Sequence, residues 1–358
     1  MTDHDAGIRV VGGIIESLMI DEEWSLRGER AFLWLGWRLA QVVQASEAFE
    51  DVDMTVYRVT ATVEVVRNIQ ADESRVASQV SFLNRLATGS AWMYASDTRT
   101  LILGFAMTVH DGTAEIRTRQ LADYAILQLI EAESRADQLA EMMKGEVAAF
   151  EHARIRQRDK PDEMLGLSGL IAERSGDVSL FANLVEMQSV YEFAKSSNGR
   201  AFSAGAGPDG VCLEVPFGAD DTALIELKTR EPHPVWGNGL LVVSRIRDRM
   251  PLREALARAN RLNEIAFAQQ SILPLLGAWS VWDSGDDWSL AFSTFVPNLM
   301  AATGVAQDAA SSAVFRLALV DRLWHPDLGP RNVLAILGRR LGFAKDEARA
   351  ATNVQRPN

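Results

Sequence analysis

The chain predicts an α+β fold of two pseudo-repeated units, each an antiparallel β-sheet flanked by helices in the order α-β-β-(β)-α-β-β-α. Three observations predict it. The stretch from Ala91 to Val109, AWMYASDTRTLILGFAMTV, lies without a gap on Ala278 to Val296, AWSVWDSGDDWSLAFSTFV, matching Ala91/Ala278, Trp92/Trp279, Leu103/Leu290, Phe105/Phe292 and Val109/Val296. Both copies read as hairpins: alternating apolar residues (Leu101, Leu103, Phe105, Met107; then Trp288, Leu290, Phe292) put one strand face on a core, and SDTR or DSGDD supplies the turn. The surroundings also agree, with a helix carrying Leu83-Asn84 or Leu262-Asn263 upstream and a longer helix downstream. A length of 358 residues exceeds the usual single core, so two units are the expected number.

In chain order, Ile8, Val10, Val11, Ile14, Ile15 and Leu18 at helical spacing predict an opening helix, weakened by Gly12-Gly13. The β-branched and aromatic runs Ala31–Gln44 and Met54–Ile69 read as two antiparallel strands joined through SEAFEDVD, with room for a third strand after Glu29. Asp72 is placed to cap a helix faced by Val76, Val80, Leu83 and Leu86, and Gly89 to end it. After the hairpin, a long helix begins near Thr118 with Leu121, Tyr124, Leu127, Leu129 and Ile130 on its apolar stripe.

Residues 144–179, rich in charge and carrying Pro161 and several glycines, read as a linker between a first unit at 1–143 and a second at 180–325. The second unit opens with a helix over Leu180–Ser197, and Arg200-Ala201-Phe202 echoes Arg30-Ala31-Phe32. Strands follow over Gly210–Phe217, Thr222–Thr229 and Gly239–Ile246, then a helix started by Pro251, the second hairpin, and a helix over Ala306–Trp324. Residues 326–358 form a C-terminal extension with a basic amphipathic helix over Pro330–Phe343 and a frayed tail.

Composition narrows the function classes. A formal charge of -12 argues against a nucleic-acid backbone as ligand. Cys212 is the only cysteine, which excludes an internal disulfide and a multi-cysteine zinc site and suits a reducing compartment. No leader and no run of about 18 apolar residues is visible, so a cytoplasmic location without membrane insertion is expected.

No catalytic residue, cofactor or metal site is expected. His4, His110, His152, His233 and His325 are scattered and never stand at i, i+4. Asp283, Asp286 and Asp287 lack the spacing and terminal glutamate of a calcium loop. GLSGL at 166–170 is not a nucleophile elbow, and Cys212 has no basic neighbour in sequence.

The nine tryptophans give the better candidates. Trp92 and Trp279 read as core anchors of the two units. Trp34, Trp37, Trp282 and Trp288, with Trp236 at the tip of the loop EPHPVWGNG, are the candidate partner-binding residues. In FLWLGWRL, Trp34 shares a strand face with Phe32 while Leu33, Leu35 and Trp37 share the other. Such a strand needs cover on both sides, from the second unit, a second subunit or a partner segment.

This order of elements resembles the type III secretion chaperone-like fold, including the YbjN-like bacterial proteins, present here as a tandem over most of residues 8–325. The resemblance is one of topology and repeat pattern. It implies a bacterial protein that binds other proteins, with one chain imitating the dimer such chaperones form, and it carries over no functional residue. The expected function is a non-enzymatic chaperone or adaptor whose partner is another protein or peptide segment. The alternative is an enzyme or small-ligand binder with a site between the units, built on His110, His233 or His325. Self-association into a homo-oligomer through the C-terminal helix is a third mode.

Overall fold

The computed structural model describes residues 5–51, 54–152, 155, 157–166, 178–182, 188, 190, 203–207, 209–219, 221–247, 250–268, 274–283, 288–301 and 304–325. Most of the helix expected over Leu180–Ser197, the Arg200-Ala201-Phe202 echo, residues 284–287 of the second hairpin turn, His4 and the C-terminal helix lie outside the described residues.

Helix α1 (Ala6–Ser17) starts where the Asp5 carboxylate accepts a hydrogen bond from the Ile8 amide, and it buries Val10, Val11 and Ile14. The first sheet then forms from β1 (Ser25–Arg27), β2 (Ala31–Leu35), β3 (Ala40–Ala45), β4 (Phe49–Asp51) and β5 (Met54–Arg67). Helix α2 (Glu73–Asn84) begins at the expected cap, Asp72, whose carboxylate accepts from the Arg75 amide at 2.9 Å. The hairpin β6 (Ala91–Ala95) and β7 (Thr100–Val109), helix α3 (Ala114–Met143) and the short β8 (Glu146–Val147) complete the unit.

In the second unit β9 (Ser203–Gly207), β10 (Gly210–Phe217), β11 (Asp221–Lys228) and β12 (Gly239–Arg247) precede helix α4 (Leu252–Phe267). The hairpin β13 (Ala278–Asp283) and β14 (Trp288–Pro297) and helix α5 (Val305–Trp324) follow.

Strand order carries the comparison of the units. The first sheet runs β1-β2-β3-β5-β7-β6, with β4 and β8 added along β5, and the second runs β9-β10-β11-β12-β14-β13. All pairs are antiparallel, and numbering each path from its first strand gives the same order, with the hairpin reversed at the far edge. The chain is therefore an α+β fold with two sheet units of one topology.

Two expectations are corrected. The run Ala31–Gln44 is a hairpin, not one strand: Leu35 pairs with Ala40, and the turn between them is fixed by Glu133, which accepts from the Arg38 and Leu39 amides at 2.8 and 2.7 Å. Gly36 sits in that turn against Leu129 and Leu165, where a Cβ would collide. Trp37 thus stands in a turn and has no strand face to share. Second, Ala91 pairs with Gly104 whereas Ala278 pairs with Ser293, so the return strand of the second hairpin is displaced by two residues relative to an ungapped match. Leu103 corresponds to Phe292; a shift of two keeps every side chain on its own face, which is why the alternation survived it.

Helices α1 and α3 cover one face of the first sheet around Trp34, Trp92, Phe105 and Leu129, all buried. Burial of each such side chain contributes about 1.5–3 kcal/mol. Within this core Gln41 donates to the Ala125 carbonyl and to Gln128, which in turn donates to the carbonyls of Ala61 and Leu103, tying α3 to β3, β5 and β7. The second core gathers Trp279, Phe292, Val314 and Leu317 between the second sheet, α4 and α5. Among the described residues no helix is long and apolar enough to cross a membrane.

Candidate functional site

The two units meet through a seam with approximate two-fold character, and its parts can be matched residue by residue. Asn84 at the end of α2 accepts from the Trp92 amide at 2.8 Å and donates to the Trp92 carbonyl at 2.9 Å. Asn263 on α4 does the same to Trp279, at 2.7 and 3.0 Å. Both asparagines are buried, and each satisfies the outward backbone of its tryptophan at an edge where the described residues supply no further strand. Trp92 and Trp279 lie at 0 and 1 % exposure, in matching environments.

Across the seam each unit adds backbone to the other. Ala106 of β7 exchanges hydrogen bonds with Leu275, just before β13, at 3.1 and 2.8 Å, and Phe295 of β14 donates to the carbonyl of Ala87, just before β6, at 2.8 Å. Given the two-residue displacement, Ala106 and Phe295 occupy equivalent positions. Helix α4 covers the second face of the first sheet: Phe267 lies against Gly104, and buried Arg58 donates to the Ala266 carbonyl and, at 3.2 Å, to the Thr108 hydroxyl. Burial draws the Arg58 guanidinium down to about 9, so it remains charged at neutral pH and is held by uncharged oxygens. Arg316 of α5, likewise lowered to about 9 by burial, donates to the Pro274 carbonyl at 3.1 Å and stacks on Phe292.

The loop with Trp236 closes the seam from the second unit. His233 Nδ1 accepts from the amides of Val235 and Trp236, both at 3.1 Å, which leaves Nε2 to donate to the Leu86 carbonyl of the first unit at 3.0 Å. Burial lowers this histidine to about 4, so the ring is neutral and its tautomer fixed by its partners. Trp236 is 1 % exposed and packs in the first core beside His233 and Phe295. Trp236 is thus an internal wedge between units, which corrects its reading as a partner-binding residue.

Trp34 is also corrected. It is fully buried, and the cover for its strand comes from the chain's own residues 158–162: Asp162 Oδ2 accepts from the Trp34 indole at 3.4 Å, the Asp162 amide bonds the Gly36 carbonyl, and Arg158 bonds the Leu35 carbonyl. Neither Trp34 nor Trp236 presents surface to a partner. Trp37 is half-buried under the Arg38 guanidinium at 4.6 Å. Trp282, half-buried, donates to Ser280 Oγ at 2.9 Å, and Trp288 packs partly against the second core. The five candidates do not form one patch.

The histidines do not converge either. His233 serves the seam, His110 bonds within the turn before α3, and His325 pairs with Asp321 at the end of α5. Among the described residues no group of three or more His, Cys, Asp or Glu is arranged to hold a metal ion. Cys212 on β10 is half-buried and its thiol is raised, by burial and then by Glu226 and Glu214.

What sequence reasoning missed is a cleft between α2 and α4. It has a volume of about 350 Å³ and lies between the two helices, walled by Ala77, Val80 and Ser81 from one and Leu256, Ala259 and Asn260 from the other, with Tyr94, Trp279 and the Arg261–Glu264 ion pair also lining it. The paired Leu-Asn dipeptides were its one sequence signal, because the residues one turn before each asparagine are the ones that face each other here. No family model, curated protein or solved structure matches the chain.

Proposed function

We propose that this chain is a non-enzymatic protein-binding chaperone or adaptor, built on the plan of a type III secretion chaperone-like dimer fused into one polypeptide. The observation that carries the reading is the seam: two units of one strand order close each other's second sheet face through reciprocal contacts, as an isologous dimer would. Fusion makes that assembly permanent and leaves its outer surface available for partners. Apolar side chains stand on that surface beside the seam: Phe82 and Leu86, one turn apart at the end of α2, are 64 and 38 % exposed, and Val235 of the loop bonded to Leu86 is 43 % exposed. A cytoplasmic setting belongs to the same proposal and rests on the single thiol. The small-ligand alternative built on His110, His233 and His325 gains no support, since these side chains serve three separate places.

The test is affinity purification of the full tagged chain from its native cell under gentle conditions. A stoichiometric protein partner, lost on Phe82→Asp substitution with the fold intact by circular dichroism, is the expected result. Recovery of the chain alone would overturn the reading.

A further inference from the structure

The described residues end at His325, beside α4. The Arg258 guanidinium of α4 stacks on Trp324 at 5.5 Å, and Phe217 meets the same ring edge-on. At about 100° per residue, Arg258 stands about 160° around α4 from Leu256 and from Asn260, both of which line the cleft. The chain therefore leaves α5 on the flank of α4 that faces away from the cleft. Only the exposed side of α4, at Glu254, Ala257 and Arg261, separates the two. The steps from His325 to Pro330 span up to about 17 Å, more than the roughly 10–12 Å width of a helix, so residue 330 can reach the cleft.

The sequence beyond Pro330 suits a groove between helices. Val333, Leu334, Leu337 and Leu341 recur at three- and four-residue spacing and share one helix face, and Arg331 and Arg340 flank it. A segment this short, with Gly338 inside it, is marginal as a lone helix in water, so its apolar stripe needs cover.

The cleft supplies such cover. Its walls include the small and apolar Ala77, Val80, Leu256, Ala257 and Ala259, and Leu252, one turn before Leu256, is 37 % exposed on the same flank. Helix α2 runs for 12 residues, about 18 Å, against about 21 Å for a helix over residues 330–343. Of the lining carboxylates, Glu264 is held by Arg261 and Asn260, whereas the exposed Glu73 has no ion pair among the described residues.

We propose that residues 330–343 of the chain's own C-terminal segment dock in this cleft as a helix laid between α2 and α4. The stripe inserts between Val80 and Ala259, and one of the flanking arginines reaches Glu73. An exposed ion pair of this kind contributes little, so the leucines carry the docking. Phe82, two positions from both Val80 and Asn84, projects from the opposite flank of α2 and stays free for a partner. The inference therefore does not depend on the chain being a protein binder.

The experiment uses the full chain with Cys212→Ala and Ala335→Cys, carrying a nitroxide on the thiol at position 335, which lies opposite the stripe. Selective loss of the Ala77 and Tyr94 amide signals by NMR is expected. The signals should return in a Leu334→Asp, Leu337→Asp chain that keeps its thermal transition. A mixture of nitroxide-bearing chain with isotope-labelled chain lacking the nitroxide should show no loss, because the segment docks within its own chain. Unchanged Ala77 and Tyr94 signals, or a loss that survives the two aspartates, would overturn the proposal. A loss appearing in the mixture would also overturn it, since the occupant would then come from a second copy. Whether a protein partner is recovered alters none of these outcomes, so this proposal and the wider reading fail separately.

Discussion

Replacing Asn84 or Asn263 with alanine tests the matched geometry of the two units. Each asparagine is at most 1 % exposed and makes two hydrogen bonds, one to the amide and one to the carbonyl of its tryptophan. Alanine keeps the helix and removes both partners, leaving two buried backbone groups unsatisfied. At about 1–3 kcal/mol per group, the expected cost is about 2–6 kcal/mol at each site. That is a large share of the roughly 5–15 kcal/mol that holds a typical domain folded. Urea denaturation followed by tryptophan fluorescence would measure both variants. The two losses should be similar in size, because the two clasps have the same donors, acceptors and burial. A loss below about 1 kcal/mol at either site, or at one site only, would show that the clasps are not equivalent supports.

The acid limb of stability should depend on His233. Its folded value of about 4 lies below the ordinary 6.5, so the stability present above pH 6.5 drains away as pH falls towards 4, by about 3 kcal/mol in all. His233→Gln should flatten that limb, and an unchanged acid profile would refute the assignment. Trp236→Ala should cost about 3–5 kcal/mol, the price of a large cavity in a shared core, where an exposed contact residue would cost almost nothing; thermal denaturation decides. Gly104→Val should cost about 1–3 kcal/mol, since a Cβ there meets Met93 at 2.7 Å and Phe267 at 2.9 Å; chemical denaturation showing no loss would mean that α4 does not press on the first sheet.

The repeat was legible because strand alternation and the Leu-Asn dipeptides record local constraints: which face is apolar, and where a helix end must bond an edge strand. Helix starts were legible for the same reason, as at Asp72 and Pro251, where the cap or first-turn residue is itself the signal. The turn inside Ala31–Gln44 was not, because its anchor is Glu133, nearly a hundred residues away in sequence. Trp34 and Trp236 were misassigned for one reason. A tryptophan in a strand or proline-bounded loop has the same local pattern whether its ring faces solvent or another unit, and only tertiary contacts decide: Asp162 on the Trp34 indole, and for Trp236 the first core, to which His233 ties the loop through Leu86. The cleft was hidden because its walls come from α2 and α4, helices of different units, and no local pattern records that they face each other.

Mutual closure of the two units is tested most directly by cutting the chain within residues 167–177 and co-expressing the halves. If α4 covers the open face of the first sheet and the loop at Trp236 fills its core, the halves should co-purify as a 1:1 complex that unfolds in one transition, with neither half stable alone. Two halves that each fold independently and show no association would contradict that account.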